Sequence, residues 1–177
     1  MNPMIETLKR WCLLGLLATC LPASAQSEPS LIPPADRKLA ANFALPSDED
    51  SRIVLGELKG RVVLVNFWAT WCPPCREEMP AIQDLATQLE GEAFTVVAVN
   101  IGEDEDAIFA FRNEFSPPLT FPIALDAAAE ALKEWPVVGL PTTFLVDRRG
   151  RIAYRRVGGW EWNSPEARKH IHTLLGE

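Results

Sequence analysis

The sequence predicts one α/β domain. Short apolar segments with strand character alternate along the chain with amphipathic helical segments. The segment at residues 62–68 is apolar at nearly every position, which is typical of a strand buried on both faces of a covered sheet. A chain of 177 residues is long enough for one ordinary domain with a continuous core.

The first 25 residues are predicted to be a secretory signal peptide. Lys9 and Arg10 precede an apolar segment at residues 11–21, and Ala23-Ser24-Ala25 supplies a cleavage pattern of small residues. The apolar segment is shorter than the roughly 20 residues of a spanning helix, which favours cleavage over a retained membrane anchor. We therefore expect an exported protein, located in the periplasm.

Lipidation at Cys20 is an alternative outcome, although Thr19 stands where a lipoprotein box usually has Gly or Ala. Residues 26–38, which are rich in Pro, Ser and Ala, are predicted to form a flexible tether. The folded domain is then predicted to cover residues 39–177.

The first half of the domain is predicted to contain a hairpin, the central strand and a long helix. Two short apolar segments separated by a polar stretch suggest the hairpin. Apolar residues at spacings of three and four predict the helix that follows the central strand. The predicted segments are 43–45 and 53–55 for the hairpin, 62–68 for the central strand and 73–89 for the helix.

The second half continues the alternation and ends in a helix. Ser164-Pro165-Glu166 supplies a cap and a proline suited to the start of that last helix, which ends near Leu175. The predicted strands are 94–100, 121–125, 142–146 and 152–155, and the predicted helices before the last one are 107–115 and 127–135.

A pair of cysteines lies where the central strand runs into the long helix, in the segment Trp71-Cys72-Pro73-Pro74-Cys75. If Cys72 takes the N-cap position, free backbone N–H groups and the positive end of the helix dipole favour its thiolate, which is the reactive species. Pro73 and Pro74 fit the first helical positions but lack N–H groups. The thiolate is then stabilised only mildly, which favours a reductant over a strong oxidant.

Two other interpretations of Cys72 and Cys75 were considered. A zinc site needs a second pair of ligands, but the other cysteines lie in the predicted signal peptide, and His170 and His172 do not face each other on a helix. A structural disulfide across so short a loop would stabilise the fold little. The spacing therefore indicates thiol–disulfide exchange, and we expect neither a metal nor another cofactor.

Charge also limits the possible partners. The chain carries a formal net charge of −7 without basic clusters, which argues against nucleic acid and anionic membrane. The acidic segments at 48–50 and 103–106 are interpreted as a solvated turn and a helix start, with no role in chemistry.

Two motifs together resemble those of the exported thioredoxin-fold reductases of the TlpA/ResA group. They are Phe67-Trp68-Ala69-Thr70-Trp71-Cys72-Pro73-Pro74-Cys75-Arg76 and, later, Val138-Gly139-Leu140-Pro141-Thr142-Thr143-Phe144-Leu145-Val146-Asp147 followed by Gly150. The resemblance covers residues 39–175. It implies a thioredoxin-like fold with a central mixed sheet flanked by helices, an N-terminal β-hairpin and a helix–strand insertion at about 101–125. Thioredoxin itself fits less well, since it has a buried aspartate where this chain has Asn66.

The same resemblance implies a substrate-binding surface around the cysteines. It implies a cis peptide bond between Leu140 and Pro141, which would offer the Leu140 backbone to an extended substrate segment. Trp71, Pro73 and Pro74 are predicted to belong to this docking surface, with Trp71 also shielding the disulfide.

Glu78 is a further candidate catalytic residue. It lies three residues after Cys75 and shares a helix face with it, and in ResA-like reductases a glutamate at this offset tunes cysteine protonation. The neighbouring Glu77 supports the alternative of a solvated helix face. Trp160 and Trp162 receive no role beyond packing.

The resemblance implies a cycle in which Cys72 attacks a partner disulfide and Cys75 resolves the mixed disulfide. It also implies a membrane thiol transporter as electron donor and exported disulfide-containing proteins as substrates, such as apocytochrome c or copper-site proteins. We expect a monomer. No pattern in the sequence favours one of these substrates over the others.

Three other functions are alternatives to a reductase. A periplasmic oxidase or isomerase would share the fold and pass electrons in the opposite direction. A non-enzymatic copper-carrying module would use both thiols but lacks a well-placed histidine. A peroxidase is disfavoured, because the residues before Cys72 do not form the Pro-x-x-x-Thr/Ser-x-x pattern of peroxiredoxins.

Overall fold

The computed structural model describes residues 31–48 and 51–177. The predicted signal peptide and residues 26–30 of the predicted tether lie outside the described residues. Within the part of the chain that the structure describes, no helix has the length and apolar character needed to span a membrane.

Strands and helices alternate along the described chain as the sequence predicts. In chain order they are β1 (Ala44–Pro46), β2 (Arg52–Val54), a 3₁₀ turn (Leu55–Leu58), β3 (Val62–Trp68), α1 (Pro73–Gln88), β4 (Phe94–Ile101), α2 (Glu105–Arg112), β5 (Ile123–Asp126), α3 (Glu130–Glu134), β6 (Thr142–Val146), β7 (Ile152–Val157) and α4 (Pro165–Leu175).

The main sheet has five strands in the order β5-β4-β3-β6-β7. β3 pairs in parallel with β4 and antiparallel with β6, so the sheet is mixed. Every residue of β3 is buried, because one face packs against the side of α1 and α4 and the other against a second apolar cluster that includes Trp135 and Phe144. The predicted thioredoxin-like architecture is therefore confirmed.

The N-terminal hairpin pairs β1 with β2, with Ala44 opposite Val54. A single bridge between Ser47 and Ala124 joins it to β5, the edge strand of the main sheet. The edge of the sheet is thereby partly covered, which limits its pairing with other chains.

Helices α2 and α3 differ from their predicted bounds for local reasons. Helix α2 begins at Glu105, before the predicted start, because the Asp104 side chain accepts the Ala107 N–H and caps the helix. Helix α3 is shorter than the predicted 127–135, since Ala129 adopts a left-handed conformation with φ of 55°. The Asp126 carboxylate accepts the N–H groups of Glu130 and Leu132 at this helix start.

The prediction of a flexible tether is wrong for residues 32–38. The Ile32 N–H donates to the Ala153 carbonyl at 2.7 Å. The Arg37 side chain is buried and pairs with both Asp147 and Glu177, residues that lie far away in the sequence. Composition suggested a tether because the partners that fix this segment are not local.

We predict that Arg37→Met destabilises the protein by about 2 kcal/mol, because the buried Asp147 carboxylate then keeps only Arg151 as a cationic partner and Glu177 loses its pair with Arg37. Urea unfolding would measure the change. The matched control is Lys133→Met, which breaks an exposed pair with Glu130 and should cost less than about 0.5 kcal/mol. Equal stability of the two variants would contradict the ordered N-terminal segment.

Candidate active site

The cysteine pair lies at the start of α1, just beyond the end of β3. Cys72 is the N-cap residue, with extended backbone angles, and Pro73 and Pro74 fill the first helical positions as predicted. Cys72 and Cys75 form a disulfide with an S–S distance of 2.09 Å. In this oxidised state the Cys75 N–H donates to the Cys72 carbonyl and not to a side chain.

The two sulfurs differ in access to solvent. Cys72 retains 4% exposure and Cys75 retains none. Around them Pro73 and Pro74 are exposed, and Trp71 is 69% exposed. An approaching partner therefore meets an apolar surface first, with Cys72 as the more accessible sulfur.

The predicted docking segment lies at the same end of the sheet. The peptide bond between Leu140 and Pro141 is cis. The next residue, Thr142, pairs with Phe67 near the end of β3, which places Pro141 close to the loop that carries Cys72. Leu140 is half-buried.

Glu78 is buried and belongs to the polar interior of the site, so the alternative of a solvated helix face is wrong. Its side chain is 3% exposed. Oε1 accepts Asn66 Nδ2 at 2.7 Å, and Oε2 accepts the Trp160 backbone N–H at 3.1 Å and Trp162 Nε1 at 3.2 Å. One carboxylate thus connects α1, β3 and the loop after β7.

This environment changes the acidity of the carboxyl group. Burial raises the pKa of Glu78 from 4.5 to about 7, although the hydrogen bonds from Asn66, Trp160 and Trp162 and the charge of Arg156 act in the opposite direction. A carboxyl with this pKa can take up and release a proton near neutral pH.

The roles of Trp160 and Trp162 were missed at the sequence level. Trp162 is fully buried, its ring meets Trp160 edge-to-face at 5.0 Å, and Tyr154 stacks on Trp160 at 5.9 Å. Buried indoles usually have an acceptor for their N–H, and this tendency was the one available signal. The acceptor, Glu78, is 84 residues away in the sequence, so the pairing itself could not be read from spacing.

A second polar cluster holds the active-site loop from the outer side. The Glu103 carboxylate accepts the Thr70 N–H at 2.7 Å, the Thr70 hydroxyl, and Asn100 Nδ2 at 2.7 Å. Arg76 donates to the Thr70 carbonyl at 3.3 Å and pairs with Glu114 beyond α2. The acidic segment 103–106 is predicted to have no role in chemistry, and these contacts give Glu103 a structural role in holding the active-site loop.

An open cleft of about 500 Å³ lies beside the cysteine helix. It is lined by Pro74, Glu77, Glu78, Gly159, Trp160 and Glu161. Among the described residues, no group of three or more His, Cys, Asp or Glu side chains is placed to hold a metal ion.

Residues 37–155 match the model of the AhpC/TSA family. The chain belongs to the AhpC/TSA family. This family member is 37% identical over 113 residues to the thiol-disulfide oxidoreductase ResA of Bacillus subtilis (strain 168), a match covering 64% of the chain and 62% of that protein. It is also 37% identical over 135 residues to ResA of Geobacillus thermodenitrificans (strain NG80-2), covering 76% of the chain and 75% of that protein.

A solved structure supports the same relationship. The crystal structure of StoA from Bacillus subtilis superposes with a TM-score of 0.60 at 27% identity, covering 78% of this chain and 96% of that one. The resemblance to the TlpA/ResA group, inferred from the two motifs, is therefore confirmed. The matched segment spans less than two thirds of Bacillus subtilis ResA.

We predict that the stability of the oxidised family member depends on pH through Glu78. Because folding raises the pKa of Glu78 from 4.5 to about 7, the stabilisation from its bound proton is complete below about 4.5 and is lost as pH rises to about 7. The loss is on the order of 3 kcal/mol relative to Glu78→Gln, measured by urea unfolding at a series of pH values. The control Glu77→Gln, on an exposed neighbour, should differ from wild type by a constant amount. A pH-independent difference for Glu78→Gln would contradict the raised pKa.

We also predict that Glu103→Ala releases the active-site loop. Removing the carboxylate deprives the Thr70 N–H of its charged acceptor, so hydrogen exchange at Thr70 should accelerate by about tenfold or more. Glu105→Ala, an exposed change in the same acidic segment, is the control and should leave Thr70 exchange unchanged. Similar exchange in both variants would show that Glu103 does not hold the loop.

Proposed function

We propose that this protein is an exported thiol–disulfide oxidoreductase that reduces disulfides in other exported proteins. The observation that carries the proposal is the Cys72–Cys75 disulfide at the N-terminus of α1, with the buried Glu78 on the same helix. The ResA relatives, which are named as thiol-disulfide oxidoreductases, support the same class of reaction.

In the first step, reduced Cys72 attacks a disulfide of the partner protein as the thiolate. A bond forms between Cys72 and one partner sulfur, and the other partner sulfur leaves with the electron pair of the broken bond. Cys72 is assigned this role because it is the N-cap residue and retains the solvent access that Cys75 lacks.

In the second step, Cys75 resolves the mixed disulfide. Its thiol transfers a proton to Glu78, and the resulting thiolate attacks the Cys72 sulfur, forming the Cys72–Cys75 bond and releasing the partner sulfur. Glu78 suits this step because burial brings its pKa to about 7. Two electrons have then passed from the cysteine pair to the partner.

The docking surface is assigned to Trp71, Pro73, Pro74 and the Leu140–Pro141 segment. The exposed apolar side chain of Trp71 can be covered by a partner, and the backbone at Leu140 can pair with an extended segment. Oxidised Cys72 and Cys75 must be reduced again, and a membrane thiol transporter is the proposed electron donor.

The direction of electron transfer is proposed from the two prolines of the motif. Pro73 and Pro74 remove two N–H donors from the helix start, so the thiolate of Cys72 gains less stabilisation there than it would from a donor-rich dipeptide. A dithiol whose reduced form is only mildly stabilised is a reductant.

We predict that Cys75→Ser traps the mixed disulfide. With the resolving thiol absent, Cys72 should remain joined to its partner, and mass spectrometry of the adduct formed with Ellman's reagent or with an exported protein extract should show it. The control Cys72→Ser retains only the buried sulfur and should form little adduct. Trapping by Cys72→Ser alone would reverse the two assignments.

The direction is tested separately by the reduction potential of the Cys72–Cys75 pair in glutathione or dithiothreitol buffers. A value near the roughly −270 mV of thioredoxin agrees with a reductant. A value near the roughly −120 mV of DsbA would make the protein an oxidase instead.

A further inference from the structure

The hydrogen bonds of Glu78 are arranged for its ionised form, although the proposed resolution step requires it to take up a proton. Oε2 faces two groups that can only donate, the Trp160 backbone N–H and Trp162 Nε1. A proton on Oε2 would lie against the N–H hydrogens of Trp160 and Trp162, which is unfavourable. The proton must therefore reside on Oε1, whose partner is Asn66.

Asn66 is the one side chain bonded to Glu78 that carries both a donor and an acceptor. It is fully buried on β3. Its Nδ2 donates both to Glu78 Oε1 at 2.7 Å and to Thr143 Oγ1 at 2.8 Å, while its Oδ1 is buried without a protein partner among the described residues. All the hydrogen bonds of this amide are thus made by one end.

Turning the Asn66 amide by half a rotation exchanges the two ends without changing its shape. Oδ1 would then accept a proton-bearing Glu78 Oε1 and the hydroxyl of Thr143, which can donate as well as accept. The amide makes two hydrogen bonds in either orientation, and its other end, Oδ1 in one orientation and Nδ2 in the other, has no protein partner among the described residues.

We propose that Asn66 is a positioning residue that reverses its side-chain amide, with Thr143 as its pivot partner, each time Glu78 takes up or releases the proton of Cys75. The proposal rests on the proposed function, because it needs Glu78 as the proton acceptor. In the resolution step the proton leaves the Cys75 sulfur for Glu78 Oε1, the Cys75 thiolate bonds to Cys72, and the partner sulfur leaves with the electron pair. The Asn66 amide transfers no proton itself, and it forms a hydrogen bond with both the ionised and the protonated Glu78.

The pKa of Glu78 depends on the charged groups around it. The neutral Asn66 amide, in contrast, must reorient when Glu78 gains or loses its proton. Arg156 of β7 favours the ionised form. Glu77 on the same helix and Glu161 beyond β7 line the adjoining cleft, and the cysteine pair lies at the helix start. The His170 ring of α4 lies 6.3 Å from the Trp160 ring and 5.1 Å from the Tyr154 ring.

The test is an NMR titration of the oxidised wild-type protein between about pH 5 and 9, following the Asn66 side-chain amide and the Glu78 carboxyl carbon. Above the Glu78 midpoint, a coupling through the hydrogen bond should connect Asn66 Nδ2 to that carbon, and the amide protons should show a nuclear Overhauser effect to Thr143. Below the midpoint the coupling should vanish and the Overhauser effect to Thr143 should weaken, both with the same midpoint as the carboxyl carbon.

Two controls tie the change in the Asn66 signals to the protonation of Glu78. In Glu78→Gln the Asn66 signals should be constant over this pH range, because the neighbouring group no longer titrates. In the wild-type protein, Asn100 is a second fully buried asparagine whose Nδ2 donates to a carboxylate, Glu103, and its coupling should persist throughout.

Retention of the Asn66–Glu78 coupling across the Glu78 titration would overturn the proposal, and so would the absence of any Glu78 titration. Neither result would bear on the thiol–disulfide exchange itself, because the trapping experiment with Cys75→Ser tests that reaction and does not depend on Asn66. A missing adduct there would instead overturn the proposed function.

Discussion

The site depends on a carboxyl group buried in the core beneath the cysteines. Burying an ionised carboxylate is costly unless hydrogen bonds compensate, and Glu78 receives three of them, from β3 and from the loop after β7. These bonds do not fully offset the effect of burial, and the pKa of Glu78 is therefore raised to about 7. The same hydrogen bonds link α1 to the sheet and to the Trp160–Trp162 loop, so the Glu78 carboxyl group also stabilises the packing of these elements.

The cysteine loop is held from two sides by two polar clusters of different character. On the inner side, Asn66 is fully buried and Glu78 is 3% exposed at the wall of the cleft. On the outer side, Glu103 and Arg76 grip the N–H and the carbonyl of Thr70, two residues before Cys72. Because Glu103 follows β4 and Arg76 pairs with a residue beyond α2, the insertion helps to position the redox pair.

Features encoded by local sequence were predictable, whereas features that join distant segments were not. The apolar pattern of β3 and the cap at Cys72 follow from adjacent residues, and both were predicted correctly. Arg37 pairs with Asp147 across 110 residues, and the Trp160 N–H reaches Glu78 across 82, so no periodicity relates them. Residues 32–38 were therefore predicted from their composition to be a tether. The two tryptophans were assigned no role beyond packing, because their acceptor is distant in the sequence.

Because the side chain at position 66 is neutral, Glu78 is the one titratable carboxyl group in the hydrogen-bonded cluster of Glu78, Asn66 and Thr143. Were Asn66 an aspartate, as at the matching position of thioredoxin, two carboxyl groups would lie within 2.7 Å of each other in the core. Such pairs do not both ionise, and their protons belong to the pair and not to either residue. With an amide beside it, Glu78 is the one carboxyl group that titrates at this position, and the single proton that it binds corresponds to the one that Cys75 loses in the proposed resolution step.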